Sequence, residues 1–178
     1  TLAGKVREIT PILSIGRPAA EYVYETVRRL APRATGEVGM AWGFSSVAIC
    51  AALRDAGGGV NHVIDPFQVQ QYEGVGLAAL AGYGLMAHAR HYAERSDVFL
   101  PRFFAGHLAD PATNRIQFGF IDGDHRIDAV FMDFYYVNKL LEEQGIVIFD
   151  DVQFPSIASV VSYALKNFHY ERLPCAEV

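Results

Sequence analysis

Two short apolar runs decide the fold of this chain, and each ends abruptly in carboxylates: Phe120-Ile121-Asp122-Gly123-Asp124-His125 and Ile146-Val147-Ile148-Phe149-Asp150-Asp151. Apolar runs of this length are typical of buried strands. Neighbouring strands of a parallel sheet lie roughly 5 Å apart, so acids that follow two of them can face one point at the carboxyl edge of the sheet. Clustered carboxylates repel one another unless protons or a cation intervene, and an all-oxygen set of ligands suits magnesium or calcium. The pattern therefore indicates an acidic edge that would suit such an ion.

Outward from these two runs, strand and helix patterns alternate along the chain. The predicted strands cover residues 36–40, 60–65, 91–96, 116–122 and 146–150, and the predicted helices cover residues 17–30, 47–53, 74–85, 98–104, 128–143 and 156–168. This alternation with short connections predicts an α/β fold, a doubly wound and mostly parallel sheet with helices on both faces. We expect one domain over residues 1–178, in which residues 1–31 form an N-terminal helical segment that packs on the sheet.

Composition narrows the class of protein. The chain has 178 residues, of which 51% are hydrophobic and 20% are charged, as expected for a globular domain with one substantial core. Its formal net charge is -5 and it contains no run of Lys and Arg, so nucleic-acid binding is not expected. No apolar stretch approaches the roughly 20 residues that span a bilayer, and the N-terminus lacks the apolar core of a signal peptide. We therefore expect a cytoplasmic protein that has no membrane partner.

A glycine-containing turn follows the first predicted strand, in Glu37-Val38-Gly39-Met40-Ala41-Trp42-Gly43. Small residues let a backbone approach a ligand there, and the N-terminus of the next helix favours anionic groups. An ordinary tight turn, whose glycines serve only backbone geometry, explains the segment about as well. The dinucleotide pattern G-x-G-x-x-G is not met, which argues against a nicotinamide enzyme. Asp65 ends the second strand, where an acid either accepts hydrogen bonds from ribose hydroxyls or caps the turn before Pro66.

Three segments together resemble the class I S-adenosylmethionine-dependent methyltransferases, which have a Rossmann-like fold. These are the first motif Glu37-Val38-Gly39-Met40-Ala41-Trp42-Gly43-Phe44-Ser45-Ser46, the acidic second motif Val63-Ile64-Asp65-Pro66-Phe67-Gln68, and the fourth motif Phe120-Ile121-Asp122-Gly123-Asp124-His125. The resemblance covers nearly the whole chain. The chain looks most like the small-molecule O-methyltransferases in which a divalent ion is held by one acid after the fourth strand and two adjacent positions after the fifth. Asp122, Asp150 and Asp151 match those positions.

The resemblance also implies a cofactor, S-adenosyl-L-methionine, and the residues that contact it. Those residues are Glu37, Gly39, Gly43, Ser45, Asp65, Ser96 and Asp122. Glu37 would approach the methionine moiety, Asp65 would hold the ribose, and Ser96 matches a contact with adenine. Two positions depart from the family pattern, because Ala41 stands where a glycine is common and Gly36 where a bulky apolar residue is usual. Both departures would loosen the turn that holds the cofactor.

Two residues after the fourth strand are candidate catalytic bases. Methyl transfer from a sulfonium to an oxygen requires an in-line approach and a nucleophilic oxygen, and a bound metal lowers the proton affinity of the hydroxyl. His125 stands three residues after Asp122, where this branch of the family commonly has its base, and histidine titrates near neutral pH. Asp124 is the rival base, or it supports a metal ligand through a hydrogen bond.

These observations favour methyl transfer from S-adenosyl-L-methionine to a hydroxyl group of a small molecule, with a divalent cation assisting. Two alternatives stay open. Asp122-Gly123-Asp124 followed by Asp150-Asp151 is also similar to the aspartate-dependent phosphotransferases and phosphatases. A non-catalytic cofactor-binding protein would explain the departures at Ala41 and Gly36.

The C-terminal end bears on the partners of the chain. Methyltransferases of this class usually finish with two antiparallel strands, and the residues after Pro174 are too few for the second of them. We therefore expect that either the chain continues beyond Val178 or a partner covers the edge of the sheet, for example a second copy in a homo-oligomer.

Overall fold

Five strands and six α-helices alternate along the chain in the computed structural model, which describes residues 15–110 and 114–174. The helices are α1 (Arg17–Leu30), α2 (Phe44–Asp55), α3 (Val75–Gly82), α4 (Ser96–Ala109), α5 (Ile127–Leu140) and α6 (Pro155–Asn167). The strands are β1 (Ala34–Val38), β2 (Val60–Ile64), β3 (Ala89–Tyr92), β4 (Ile116–Ile121) and β5 (Leu141–Phe149). Residues 1–14 of the predicted N-terminal segment lie outside the described residues. Within the described ranges, no helix combines the length and apolar character that a membrane crossing requires.

The strands form one parallel sheet in the order β3-β2-β1-β4-β5, which confirms the predicted doubly wound arrangement. The chain moves outward from β1 to β3 and then returns to the other side of β1 with β4, so β1 and β4 flank the switch point where such sheets bind ligands. Val38 pairs with both Ile64 and Ile121, and Ile121 pairs with Phe149. The first residues after β1, β2, β4 and β5 therefore lie at the same edge of the sheet. They are Gly39, Asp65, Asp122 and Asp150.

Alternate side chains of the central strands build separate cores on the two faces of the sheet. On one face, Phe118 and Phe120 of β4 pack against Val27 of α1 and against α2. On the other face, Ile121 packs in a cluster with Phe134 of α5, which is 2% exposed. Burial of a side chain of this size contributes roughly 1.5–3 kcal/mol to stability. Packing from both sides holds the carboxyl ends of β1 and β4 in a fixed position.

The third strand is shorter than predicted. It ends at Tyr92, which pairs with Ile64, the last residue of β2. Because β2 goes no further, residues 93–96 have no strand beside them to extend the ladder. Ser96 therefore begins α4 instead of ending β3.

The boundary between the fifth helix and the fifth strand also differs from the prediction. The helix ends at Leu140, and Leu141 already has an extended backbone and pairs with Ile116 of β4. The register then jumps to Ile146, so residues 142–145 form an irregularity in β5 and not the predicted end of the helix. The helical spacing of apolar residues runs as far as Leu141, but pairing with β4 determines the conformation from Leu141 onward.

Gly36 on β1 borders a small apolar cavity between the sheet and helices α4 and α5. A Cβ at this position would lie 3.2 Å from Cδ1 of Ile116, the end of a flexible side chain of a residue that also lines the cavity. We expect Gly36→Ala to stabilise the protein by about 0.5–1 kcal/mol, because alanine restricts the unfolded chain and adds a methyl group to the core. Thermal unfolding followed by circular dichroism should show a Tm about 1–4 °C higher.

Gly119→Ala on the neighbouring strand is the matched control for this substitution. Its Cβ would lie only 2.6 Å from Cγ1 of Val137, so its Tm is expected to fall. A fall in Tm for Gly36→Ala as well would show that β1 has no room at the cavity.

Candidate functional site

The glycine turn, residues 39–43, connects β1 to α2 at the switch point of the sheet. Three of its residues have left-handed backbone conformations, with φ of 87° at Gly39, 45° at Ala41 and 89° at Gly43. A Cβ on Gly39 would collide with the carbonyl oxygen of Asp122, and a Cβ on Gly43 would lie 2.6 Å from Cα of Gly76. Both glycines are therefore required by close packing of the backbone. Their predicted contact with a cofactor stays a prediction.

Glu37 is fully buried at the end of β1, where three side chains donate hydrogen bonds to it. Its Oε1 accepts from Ser45 Oγ at 2.5 Å, and its Oε2 accepts from Ser46 Oγ at 2.8 Å and from Asn61 Nδ2 at 2.6 Å. Burial raises the pKa of Glu37 to about 7 in spite of these donors. Glu37 and Ser45, both predicted cofactor contacts, thus bind each other and join β1 to the first turn of α2.

Asp65 fastens the glycine turn to the end of β2. Its Oδ2 accepts hydrogen bonds from the backbone amides of Met40 at 3.0 Å and Ala41 at 2.9 Å, and from Gln68 Nε2 at 3.1 Å. Its Oδ1 accepts the amide of Phe67 at 2.7 Å, and the residue is 3% exposed. The carboxylate therefore caps two backbone segments at once. Its predicted contact with a ribose stays a prediction.

The acidic cluster, defined here as Asp122, His125 and Asp151, lies beside the glycine turn. Each of these residues offers one ligand-type atom, and the three atoms lie within 4.8 Å of one another. His125 Nε2 is 3.2 Å from Asp151 Oδ2 and 3.7 Å from Asp122 Oδ1. Asp150, the third predicted metal ligand, is not one of these three residues, and its Oδ1 accepts the backbone amide of Asp151 at 2.9 Å.

Three carboxyl groups, those of Asp122, Asp150 and Asp151, lie together at this edge of the sheet. Burial, together with the charges of Asp150 and Asp151, raises the pKa of Asp122 to about 8. Burial and the charge of Asp151 also raise the pKa of Asp150. Neighbouring carboxylates that are all ionised repel one another, so they either keep protons or are balanced by a cation. The arrangement is therefore chemically suited to a divalent cation, for which carboxylate oxygens and an imidazole nitrogen are available ligands.

The two candidate bases differ in their surroundings. The start of α6 holds His125, because Ser156 Oγ donates to its carbonyl oxygen at 2.5 Å and the Phe154 ring centroid lies 5.1 Å from the imidazole. Asp124 is engaged by Arg126, whose backbone amide and Nε donate to its carboxylate at 3.0 and 3.1 Å. His125 contacts both acids of the acidic cluster, whereas Asp124 is paired with a guanidinium.

A buried acid that sequence reasoning missed lies beside Ser96, the residue predicted to contact adenine. Asp133 of α5 is 1% exposed, and its Oδ1 has no hydrogen-bond partner among the described residues. Burial raises the pKa of Asp133 to about 7, although the Ser96 side chain lies close enough to lower it. The sequence contains a signal for this burial, because Asp133 lies at helical spacing with Val130, Phe134 and Val137 on the apolar face of the helix.

Asp133→Asn is expected to make the stability of the protein less dependent on pH. Burial in the fold raises the pKa of this carboxyl from its ordinary value of 3.8 to about 7, so the fold favours the protonated form. The stability that the protonated carboxyl contributes to the fold is fully present below about pH 4 and is lost as the pH rises through 7. Asparagine imitates the protonated form, so from pH 5 to pH 8 the variant should gain stability relative to the wild type, on the order of 2–3 kcal/mol. Urea denaturation at both pH values measures the gain.

Asp128→Asn is the control for this experiment, because Asp128 is an exposed acid on the same helix. Its stability relative to the wild type should change by less than about 0.5 kcal/mol between the two pH values. An equally small change for Asp133→Asn would contradict the raised pKa of the buried carboxyl.

Similarity to known proteins covers the same part of the chain. A family model described as "Methyltransferase domain" matches residues 37–152, which include the glycine turn and the acidic cluster. No curated protein sequence matches the chain significantly.

Solved structures are similar in fold. The O-methyltransferase TomG from Streptomyces achromogenes, involved in tomaymycin synthesis and solved with S-adenosylmethionine, has a TM-score of 0.66 and 21% identity over 91% of this chain and 65% of its own. The O-methyltransferase from Bacillus cereus, solved with S-adenosylhomocysteine, has a TM-score of 0.70 and 16% identity over 87% and 71%. A Podospora anserina methyltransferase, also bound to S-adenosylhomocysteine, has a TM-score of 0.68 and 14% identity over 89% and 74%. This chain thus spans about two thirds to three quarters of each of these proteins.

Proposed function

Because this chain belongs to the family of methyltransferase domains, we propose that it transfers a methyl group from S-adenosyl-L-methionine to a hydroxyl group of a small molecule, with a divalent cation assisting. One observation carries the proposal. The glycine turn and the acidic cluster are far apart in sequence, yet they meet at the switch point of the sheet inside the matched residues 37–152. Two proteins of similar fold are O-methyltransferases solved with S-adenosylmethionine or S-adenosylhomocysteine, which supports both the donor and the hydroxyl acceptor.

The surroundings of the glycine turn fit this cofactor. Among the hydrogen bonds of the described residues, Asp65 Oδ1 accepts only the Phe67 amide, so it keeps a lone pair for a ribose hydroxyl. The backbone of Asp122 packs directly on Gly39, and we propose Asp122 as a further contact with the cofactor at this turn. We propose Ser96, at the start of α4, as the contact with adenine.

We propose that Asp122, Asp150 and Asp151 hold the cation, magnesium or calcium. A divalent cation bound there would lower the proton affinity of the acceptor hydroxyl and orient it. His125 is the proposed base: its neutral imidazole takes the hydroxyl proton while the oxygen attacks the methyl carbon and the carbon–sulfur bond breaks. Asp151, at 3.2 Å from Nε2, then stabilises the imidazolium. Since Nε2 cannot bind a cation and accept a proton at the same time, this role leaves the cation to the carboxylates.

Thermal unfolding with and without ligands tests the cofactor assignment. S-adenosylhomocysteine at about 100 times its Kd stabilises a binding protein by about 2.7 kcal/mol. We therefore expect the Tm to rise by about 5–10 °C with S-adenosylmethionine or S-adenosylhomocysteine, and to stay unchanged with NAD. The absence of a shift with both sulfur compounds would remove the basis of the proposed function.

A further inference from the structure

Ala41 has a backbone conformation that residues with a side chain rarely adopt. Its φ of 45° lies in the left-handed region, in the middle of the glycine turn between two glycines that are also left-handed. The crowding between Cβ and the backbone makes this conformation unfavourable for alanine. Something in the surroundings must therefore hold the turn in shape.

Two side chains make hydrogen bonds to the backbone of Ala41, one to its amide and one to its carbonyl group. Asp65 Oδ2 accepts the Ala41 amide at 2.9 Å, and Gln68 Nε2 donates to the Ala41 carbonyl oxygen at 2.6 Å. Gln68 Nε2 also donates to Asp65 Oδ2 at 3.1 Å, so the two side chains are tied to each other. Gln68 is only 1% exposed and Asp65 only 3%, so water does not compete for these hydrogen bonds.

The packing around Gln68 leaves it little freedom to move away. A Cβ on Gly76, at the start of α3, would lie 3.0 Å from Gln68 Oε1 and 2.9 Å from Cε of Met40. Gln68 Oε1 itself is buried and has no hydrogen-bond partner among the described residues. A buried amide with one unsatisfied atom is unfavourable by itself, so the two bonds made by Nε2 account for its presence here.

We propose that Gln68 is a positioning residue for the cofactor: it holds Ala41 in its left-handed conformation and thereby keeps the glycine turn in the shape that binds S-adenosylmethionine. The inference rests on the proposed function, because it assigns Gln68 to the cofactor side of the same site. Gln68 acts through Ala41 and Asp65 and not through contact with the reacting atoms. A glycine at position 41 would adopt the same φ without this support.

Isothermal titration with S-adenosylhomocysteine tests the inference on the full chain. Gln68→Met keeps the length of the side chain but removes the donor, and we expect it to weaken binding about 10-fold, which corresponds to about 1.4 kcal/mol. In the Ala41→Gly background the same substitution should weaken binding less than about threefold, because the turn then needs no support. The exposed Gln71 in the same loop supplies the control, and Gln71→Ala should bind within about twofold of the wild type.

A ligand-free measurement separates this inference from the proposed function. Trp42 is the only tryptophan, adjoins Ala41, and packs edge-on against Tyr72 at 5.2 Å, so its fluorescence reports the shape of the turn. We expect acrylamide to quench Trp42 more strongly in Gln68→Met than in the wild type, and Ala41→Gly to reverse the change. KM for S-adenosylmethionine should rise in Gln68→Met while kcat stays within about twofold.

The possible outcomes are distinct. A wild type that binds S-adenosylhomocysteine while Gln68→Met binds it equally well overturns the inference, and so does weakened binding that Ala41→Gly fails to restore. Gln68→Asn replaces Gln68→Met if that variant does not fold, because it keeps the amide on a shorter side chain. It too should bind S-adenosylhomocysteine more weakly than the wild type, and Ala41→Gly should restore its binding. A folded wild type that binds neither sulfur compound contradicts the proposed function instead, and the quenching of Trp42 still decides whether Gln68 shapes the turn.

Discussion

Asp151→Ala is expected to lower turnover about 100-fold or more in the presence of Mg²⁺, while the Kd for S-adenosylhomocysteine changes less than about threefold. Asp151 is the member of the acidic cluster closest to His125, at 3.2 Å from Nε2. Its removal takes away one proposed cation ligand and the carboxylate that would stabilise the protonated base. The glycine turn contacts Asp122 and Asp65 instead, so cofactor binding should persist.

Two comparisons make this experiment decisive. Asp128→Ala removes an exposed acid from the first turn of α5 and should leave turnover within about twofold of the wild type. A chelator should lower the turnover of the wild type and have little further effect on Asp151→Ala. Wild-type turnover that is equal with and without chelator would show that the cation assignment is wrong, and full turnover by Asp151→Ala would remove this acid from the mechanism.

The sequence predicts that the acids lie together at one edge of the sheet, but not which residues form the acidic cluster. Apolar runs that end in acids predict strands that bring Asp122 and Asp150 to the same edge, and the pairing of Ile121 with Phe149 does so. Asp150 and Asp151 both raise the pKa of Asp122, but it is Asp151 that brings a ligand-type atom within 4.8 Å of those of Asp122 and His125. Asp151 has a φ of 54°, so the chain turns sharply there, and Asp151 rather than Asp150 joins the acidic cluster. Nothing in an isolated sequence reports a left-handed aspartate.

The hydrogen bonds that join Glu37 and Asp65 to distant parts of the chain could not be predicted from the sequence. Both acids stand at strand ends next to a turn, where the sequence predicts a ligand contact for Glu37 and either a ribose contact or a turn cap for Asp65. The structure supplies Glu37 with a donor from Asn61, which follows it by 24 residues and reaches it only through the pairing of β1 with β2. Asp65 reaches the Ala41 amide by the same pairing. Strand patterns predict which elements exist, whereas partners of this kind require the register.

Gly39→Ala is expected to destabilise the protein by about 3 kcal/mol or more and to abolish binding of S-adenosylhomocysteine. The left-handed φ of 87° alone costs alanine roughly 1–2 kcal/mol. In addition, the new Cβ would overlap the carbonyl oxygen of Asp122, so β1 and β4 would have to separate at the switch point. This one methyl group would therefore disturb both the fold and the edge that carries the acidic cluster. Urea denaturation followed by circular dichroism measures the loss of stability.

Gly57→Ala separates the two causes, because Gly57 has a similar φ of 99° but no atom within 4 Å of its Cβ position. It should lose only the backbone contribution, roughly 1–2 kcal/mol, and should bind S-adenosylhomocysteine as the wild type does. The difference between the two variants then measures the steric contact between Gly39 and Asp122, for which we expect about 2 kcal/mol or more. Equal losses of stability in both variants would mean that the close approach of the glycine turn to β4 is relieved by a small shift, and that the acidic cluster does not depend on it.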